Sequence, residues 1–174
     1  MKQNAEVCIT VNNAQRSSYV KNRITAALLS LMEEKPVDDI SVYELTERAG
    51  VGRVSFYRNF RDKDDVLRFF ISEETEKWLG EDHVSYLAAG RTKEFAVFLL
   101  RHMREYRGFF DLLMRDGRMH LLEDEFDSRI RLYLDQSADP WHIAFLTGGF
   151  YKLFRYWAAC GYRESPEEIA AYMR

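Results

Sequence analysis

Apolar residues recur three and four positions apart through most of the 174-residue chain, with glycine or proline at the breaks. That spacing predicts helices throughout and no strand-like alternation. Residues 1–17 are polar without periodicity and are expected to form a flexible arm. Over 18–34, Ile24, Ala27, Leu28 and Leu31 repeat at helical spacing, and Pro36 with Asp38 and Asp39 then predicts a loop. Ser41, three residues before Glu44, reads as a capping box that opens a second helix. Its inward positions are Val42, Leu45 and Ala49, and Gly50 closes it where a positive φ is needed. A third helix over 53–59 buries Phe56 and then Phe60, which leaves Arg53, Val54, Ser55, Tyr57 and Arg58 outward.

Asp62 is expected to cap a connector helix over 63–79, with Val66, Leu67, Phe70 and Ile71 inward and Trp78 near its end. Residues 80–90 read as a loop, followed by helices over 92–106, 109–115 and 119–137. Pro140 opens the most apolar stretch, WHIAFLTGGFYKLFRYWAACG, which is apolar on nearly every side and so is expected to be covered on more than one. Ser165, Pro166 and Glu168 form a second capping box that starts a final helix running to the end. The expected fold is all-α. An arm (1–17) precedes a three-helix head (18–63), which a connector helix joins to a helical body within 64–174.

Two helices joined by a short glycine turn, the second carrying exposed arginines, form the arrangement that lays a helix in the DNA major groove. The stretch SVYELTERAGVGRVSFYRNFRDK carries it, and here the chain resembles the TetR family of bacterial transcriptional regulators. The matching positions are Ala49, Gly50, Val51, Tyr57, Phe60, Lys63 and Leu67, with Arg23 and Ala27 in the preceding helix, so the likeness covers about the first third of the chain. Three positions depart from the family pattern. Thr46 stands where alanine is common, Gly52 where a serine or threonine cap is common, and Val54 where a small residue is common. Val54 would meet a thymine methyl rather than a hydrogen-bonding base edge.

The resemblance implies a transcriptional regulator, a repressor that binds a palindromic operator in double-stranded DNA as a homodimer. Ser41, Tyr57 and Lys63 are then the expected phosphate contacts, and Arg53, Val54 and Ser55 the expected base contacts, with Arg58 able to do either. A small apolar effector in the body would act by changing the separation of the two heads through the connector. The effector residues themselves are not identified by the sequence.

Charge sharpens this picture. The net charge of −3 divides into +2 over residues 1–63, with ten Lys or Arg against eight Asp or Glu, and −5 over the remainder. A basic head on an acidic body suits a protein that touches DNA with one small surface. Cys8 and Cys160 lie far apart and make no metal-binding spacing, and no cofactor or metal is expected. No apolar run reaches the roughly 18 residues of a membrane span, and the first segment lacks an apolar signal-peptide centre, so a cytoplasmic location is expected.

Other features of the body admit further readings. His102 with Glu105, and His120 with Glu123, each set a histidine and a carboxylate one turn apart, as in all-α metal-dependent enzymes. Those bundles use the order Glu-x-x-His and further inward glutamates, so solvent-facing ion pairs are the expectation. The lone His142 reads as a core or interface residue. Phe95, Phe98, Phe109, Phe110, Phe126, Phe145 and Tyr151 can line an apolar pocket, although a plain core uses the same residues. A body that binds a protein partner, making the chain an adaptor or activator, is a third reading. The dimer seam is expected on the helix from Pro140 to Cys160 together with the final helix from Pro166: Ile143, Phe145, Phe150, Leu153, Phe154 and Trp157 surround the first of these, and Gly148 and Gly149 would admit a close neighbour.

Overall fold

The computed structural model describes residues 2–79, 83–133 and 139–173. The described residues form α1 (Lys2–Glu34), α2 (Val42–Ala49), α3 (Arg53–Asn59), α4 (Lys63–Trp78), α5 (Val84–Ala88) and α6 (Thr92–Glu105). These are followed by α7 (Arg107–Arg115), α8 (Met119–Tyr133), α9 (Pro140–Ala159) and α10 (Pro166–Ala171). A 3-10 turn at Val37–Asp39 links α1 to α2, and the described residues include no strand. The chain divides into two compact units, Met1–Phe70 and Ile71–Arg174, so the division falls within α4 rather than at its first residue.

The all-α expectation holds, with differences at the edges of elements. Helix α1 begins at Lys2 and runs through the stretch read as a flexible arm. No glycine or proline interrupts 2–34, so local chemistry supplies no stop. A short helix, α5, replaces part of the expected 80–90 loop, and packing against α6 explains it: Tyr86 and Phe98 place their rings 5.1 Å apart. Residues 134–137 of the expected 119–137 helix lie outside the described residues, as does Gly80. The final helix stops at Ala171 instead of continuing to the end.

In the head, Ile24, Leu28, Leu31 and Met32 of α1 are fully buried together with Leu45, Phe56, Val66 and Leu67. Ala27, Ala49 and Phe60 complete this core as their spacing predicts. Polar pairs fasten the helices around it. Arg48 of α2 grips both carboxylate oxygens of Glu34 at 2.9 and 3.2 Å, and Ser17 of α1 donates to Asn59 of α3 at 2.7 Å. The hydrogen bond from Arg48, opposed by desolvation, holds the Glu34 carboxyl below its ordinary range.

The body has its own core, with Phe95, Leu113, Leu121, Phe154 and Trp157 nearly inaccessible. Phe110 meets Phe154 edge-on at 5.0 Å, and the Trp157 indole donates to the carbonyl of Glu164 at 3.0 Å. The capping box of α10 is complete, with Ser165 and Glu168 bonding each other's backbone amides. The His102 ring is half-buried, stacking on Trp78 at 5.5 Å and lying 4.8 Å from Tyr106. Tyr106 in turn donates to Glu74 at 2.7 Å, and that bond, reinforced by burial, raises its phenol to about 12. His142, read as a core or interface residue, is exposed in one chain, which excludes the core alternative.

Helix α9 requires the largest correction. Ile143, Phe150, Phe154 and Trp157, expected at a dimer seam, are buried in the body of one chain, and Leu153 is half-buried. Its exposed side is a stripe of Trp141, Phe145, Gly148, Gly149 and Tyr156, with the three aromatics 71–83% accessible. Periodicity identified an all-apolar helix but could not say which face its own chain covers. Among the pocket aromatics, Phe95, Phe110 and Phe126 are core residues, whereas Phe98, Phe109 and Tyr151 are half-buried.

Candidate nucleic-acid interface

Helix α3 is placed by the turn before it. Gly50 adopts φ 62° and ψ 39°, and its amide bonds back to the carbonyl of Glu47 at 3.0 Å, closing α2 in the left-handed conformation. A methyl group at Gly50 would stand 2.7 Å from the guanidinium of Arg23, so space as well as φ restricts this position. Gly52 then opens α3 without a side-chain cap, accepting from the amides of Ser55 and Phe56 through its carbonyl. Phe56 and Phe60 anchor the helix from beneath, their rings 6.2 Å apart.

This anchoring turns Arg53, Val54, Tyr57 and Arg58 outward together. Val54 is 73% exposed and Tyr57 62%, while Ser55 is half-buried. The Tyr57 ring stands edge-on to Phe56 at 5.2 Å, which fixes the direction of its hydroxyl. Ser41 is exposed at the start of α2, where its hydroxyl accepts from the Glu44 amide at 3.1 Å and keeps its own proton to donate. Only half of the expected capping box forms, because the Glu44 carboxylate pairs with Lys35 at 2.7 Å instead.

Lys63 of the expected surface, and Arg61 beside it, are otherwise engaged. The ammonium of Lys63 donates to the carbonyls of Val37 at 2.5 Å, Ile40 at 2.6 Å and Asp38 at 3.3 Å. A group with three donors that meets three carbonyls ties down the 37–40 turn, an engagement that competes with its expected phosphate contact. Arg61 turns to Asp65, its backbone amide and guanidinium donating at 3.0 and 3.3 Å. Burial opposes ionisation of Asp65, but these bonds and the charges of Arg61 and Lys21 outweigh it and hold the carboxyl low. Among the described residues, Arg53 and Arg58 stand without a carboxylate partner.

Two further donors lie beside this surface. Arg16, in the 1–17 stretch expected as an arm that in a TetR-like arrangement can reach DNA, lines a recess of about 460 Å³ between α1 and α3 together with Ser55, Arg58 and Asn59. Tyr43, 63% exposed in the first turn of α2, presents a hydroxyl two residues from Ser41. Its outward position in the α2 helical period was the available signal. The surface therefore offers guanidinium forks, phenol and aliphatic hydroxyls, and one branched apolar side chain. Such a set can hold phosphate oxygens and read guanine or thymine edges in a groove.

Comparison with known proteins agrees with this geometry. Residues 24–68 match the model of the bacterial regulatory proteins, tetR family, a segment that includes α2, α3 and the first turns of α4. A Bacillus subtilis (strain 168) protein described as an uncharacterized HTH-type transcriptional regulator, YxbF, is 26% identical over 117 residues. That match covers 63% of this chain and 30% of the relative, so the chain spans about a third of the relative's length. No described helix is long and apolar enough to cross a membrane, and no group of three or more metal-ligating side chains occurs among the described residues.

Proposed function

We propose, from the premise that residues 24–68 are a DNA-binding domain of the TetR family, that this chain is a sequence-specific transcriptional regulator of the cytoplasm. It binds a palindromic operator as a homodimer and acts as a repressor released by a small molecule. The observation that carries the DNA-binding reading is the outward row Arg53, Val54, Tyr57 and Arg58 on a helix anchored by Phe56 and Phe60. Arg53 is the first long donor of α3, and arginine is the commonest bidentate partner of guanine. Arg53→Ala is expected to cost about 1–3 kcal/mol of binding and to relax preference at one base pair per half-site. Selection of sites from random DNA by the variant tests this, and an unchanged base preference would remove Arg53 from the reading set.

The homodimer reading draws on the exposed stripe of α9. A β-carbon built at Gly148 or Gly149 meets nothing within 4 Å in one chain, so no described neighbour in that chain explains either glycine. Each costs the helix about 1 kcal/mol relative to alanine, a cost that close approach of a second helix would offset. In a two-fold contact every substitution occurs twice. Gly149→Arg is therefore expected to give a folded monomer by light scattering with operator affinity lost, because one head covers half a site. A variant that stays dimeric and keeps full affinity would move the seam elsewhere, with α8 the next candidate. The small-molecule reading is favoured over a protein-binding adaptor because the body has an open recess of about 740 Å³, within the range of ligand sites.

A further inference from the structure

Two body recesses differ in how far their own residues already satisfy them. In the smaller, of about 420 Å³, Trp78 stacks with His83 at 4.8 Å and with His102 at 5.5 Å. Its Glu74 carboxylate accepts from both Lys77 and Tyr106, so the main polar group is occupied. The larger groove, of about 740 Å³, lies between the start of α6 and the middle of α9. Leu146, Phe150 and Leu153, spaced four and three residues apart, form its apolar wall. Arg91 and Lys93 stand at its other side, with Glu94 the one carboxylate in the lining.

That carboxylate is taken. Arg91 donates to Glu94 at 3.0 Å while its guanidinium lies 4.6 Å from the Tyr86 ring centre. Among the described residues Lys93 has no hydrogen-bonded partner, so the rim keeps one uncompensated positive charge in a body whose net charge is −5. An apolar wall facing a net cationic rim is complementary to a molecule with an apolar tail and one negative head.

We propose that this groove is the effector site and that its ligand is an amphipathic monocarboxylate, with the tail on Leu146, Phe150 and Leu153 and the carboxylate at Lys93. The inference rests on the reading of the chain as an effector-controlled regulator and adds the location and chemical class of the effector. Phe145 and Gly149 belong both to the groove lining and to the exposed α9 stripe. A bound tail thus reaches the residues proposed to pair the two copies, which gives the ligand a route to the spacing of the heads.

The test uses decanoate as the probe, titrated into the full chain by calorimetry, with decyltrimethylammonium as the head-group control. Saturable decanoate binding is expected, with the ammonium compound markedly weaker. Leu153→Trp, which fills the groove, should abolish binding, and Leu146→Trp serves as a second filling variant should the first fail to fold. Lys93→Glu, an exposed change, should weaken decanoate about fivefold by reversing the rim charge. The proposal is overturned by absence of saturable binding, as would occur if a second copy of the chain fills the groove. It is equally overturned if the filling variants bind decanoate normally, or if the two head groups bind alike. Operator selection on the ligand-free chain tests the regulator reading separately, so either result can fail while the other stands.

Discussion

Phe56→Ala is expected to destabilise the head by about 3–5 kcal/mol and to abolish DNA binding while the body keeps its helices. Phe56 is fully buried, and it is the contact that converts a seven-residue helix, too short to be stable alone, into a fixed platform. Its ring meets Tyr57 and Phe60 at 5.2 and 6.2 Å, and Phe60 passes the contact on to Phe69 of α4 at 5.7 Å. Removing the ring leaves a cavity that α3 cannot close without releasing its outward side chains. Because the chain consists of two compact units, urea unfolding followed by circular dichroism should show an early transition absent from the parent. An unchanged unfolding curve would mean that Phe56 does not anchor the head.

Lys63→Met is the second large effect, and it separates two roles for one residue. The substitution keeps most of the aliphatic stem but withdraws the ammonium from the carbonyls of Val37, Asp38 and Ile40. Hydrogen bonds from a charged donor contribute about 1.5–3 kcal/mol, so a loss of about 2–3 kcal/mol in head stability is expected. A residue that instead neutralised a phosphate would leave stability nearly unchanged and reduce the salt slope of DNA binding by about one. A tie for the 37–40 turn gives the opposite pattern: a lower unfolding midpoint and, at temperatures where the variant is folded, the parental salt slope. Retained stability with a flatter slope would restore Lys63 to the phosphate contacts.

The contrast between these residues shows what a sequence discloses. Gly50, Phe56 and Phe60 were legible because left-handed closure of α2 and a four-residue apolar repeat are set by neighbours within one turn. Lys63 was not, since its partners lie 23 to 26 residues earlier and depend on how the 37–40 turn folds back. Glu44 had two local options, the amide of the cap and the ammonium of Lys35, and sequence spacing alone favoured the cap. Arg16 was misplaced because polar residues without periodicity read as an arm, while the backbone continues one helix into α3's neighbourhood. On α9 the apolar residues were all visible, but the division between Phe150, Phe154 and Trp157 inside and Trp141, Phe145 and Tyr156 outside is decided by α6, α7 and α8.

The most direct measurement is selection of sites from random double-stranded DNA by the full chain, read by sequencing. A two-fold dimer of reading heads should enrich an inverted repeat whose half-site centres lie about one helical turn, roughly 34 Å, apart on one face of the duplex. Recovery of unenriched DNA, or of single half-sites without a repeat, would contradict it.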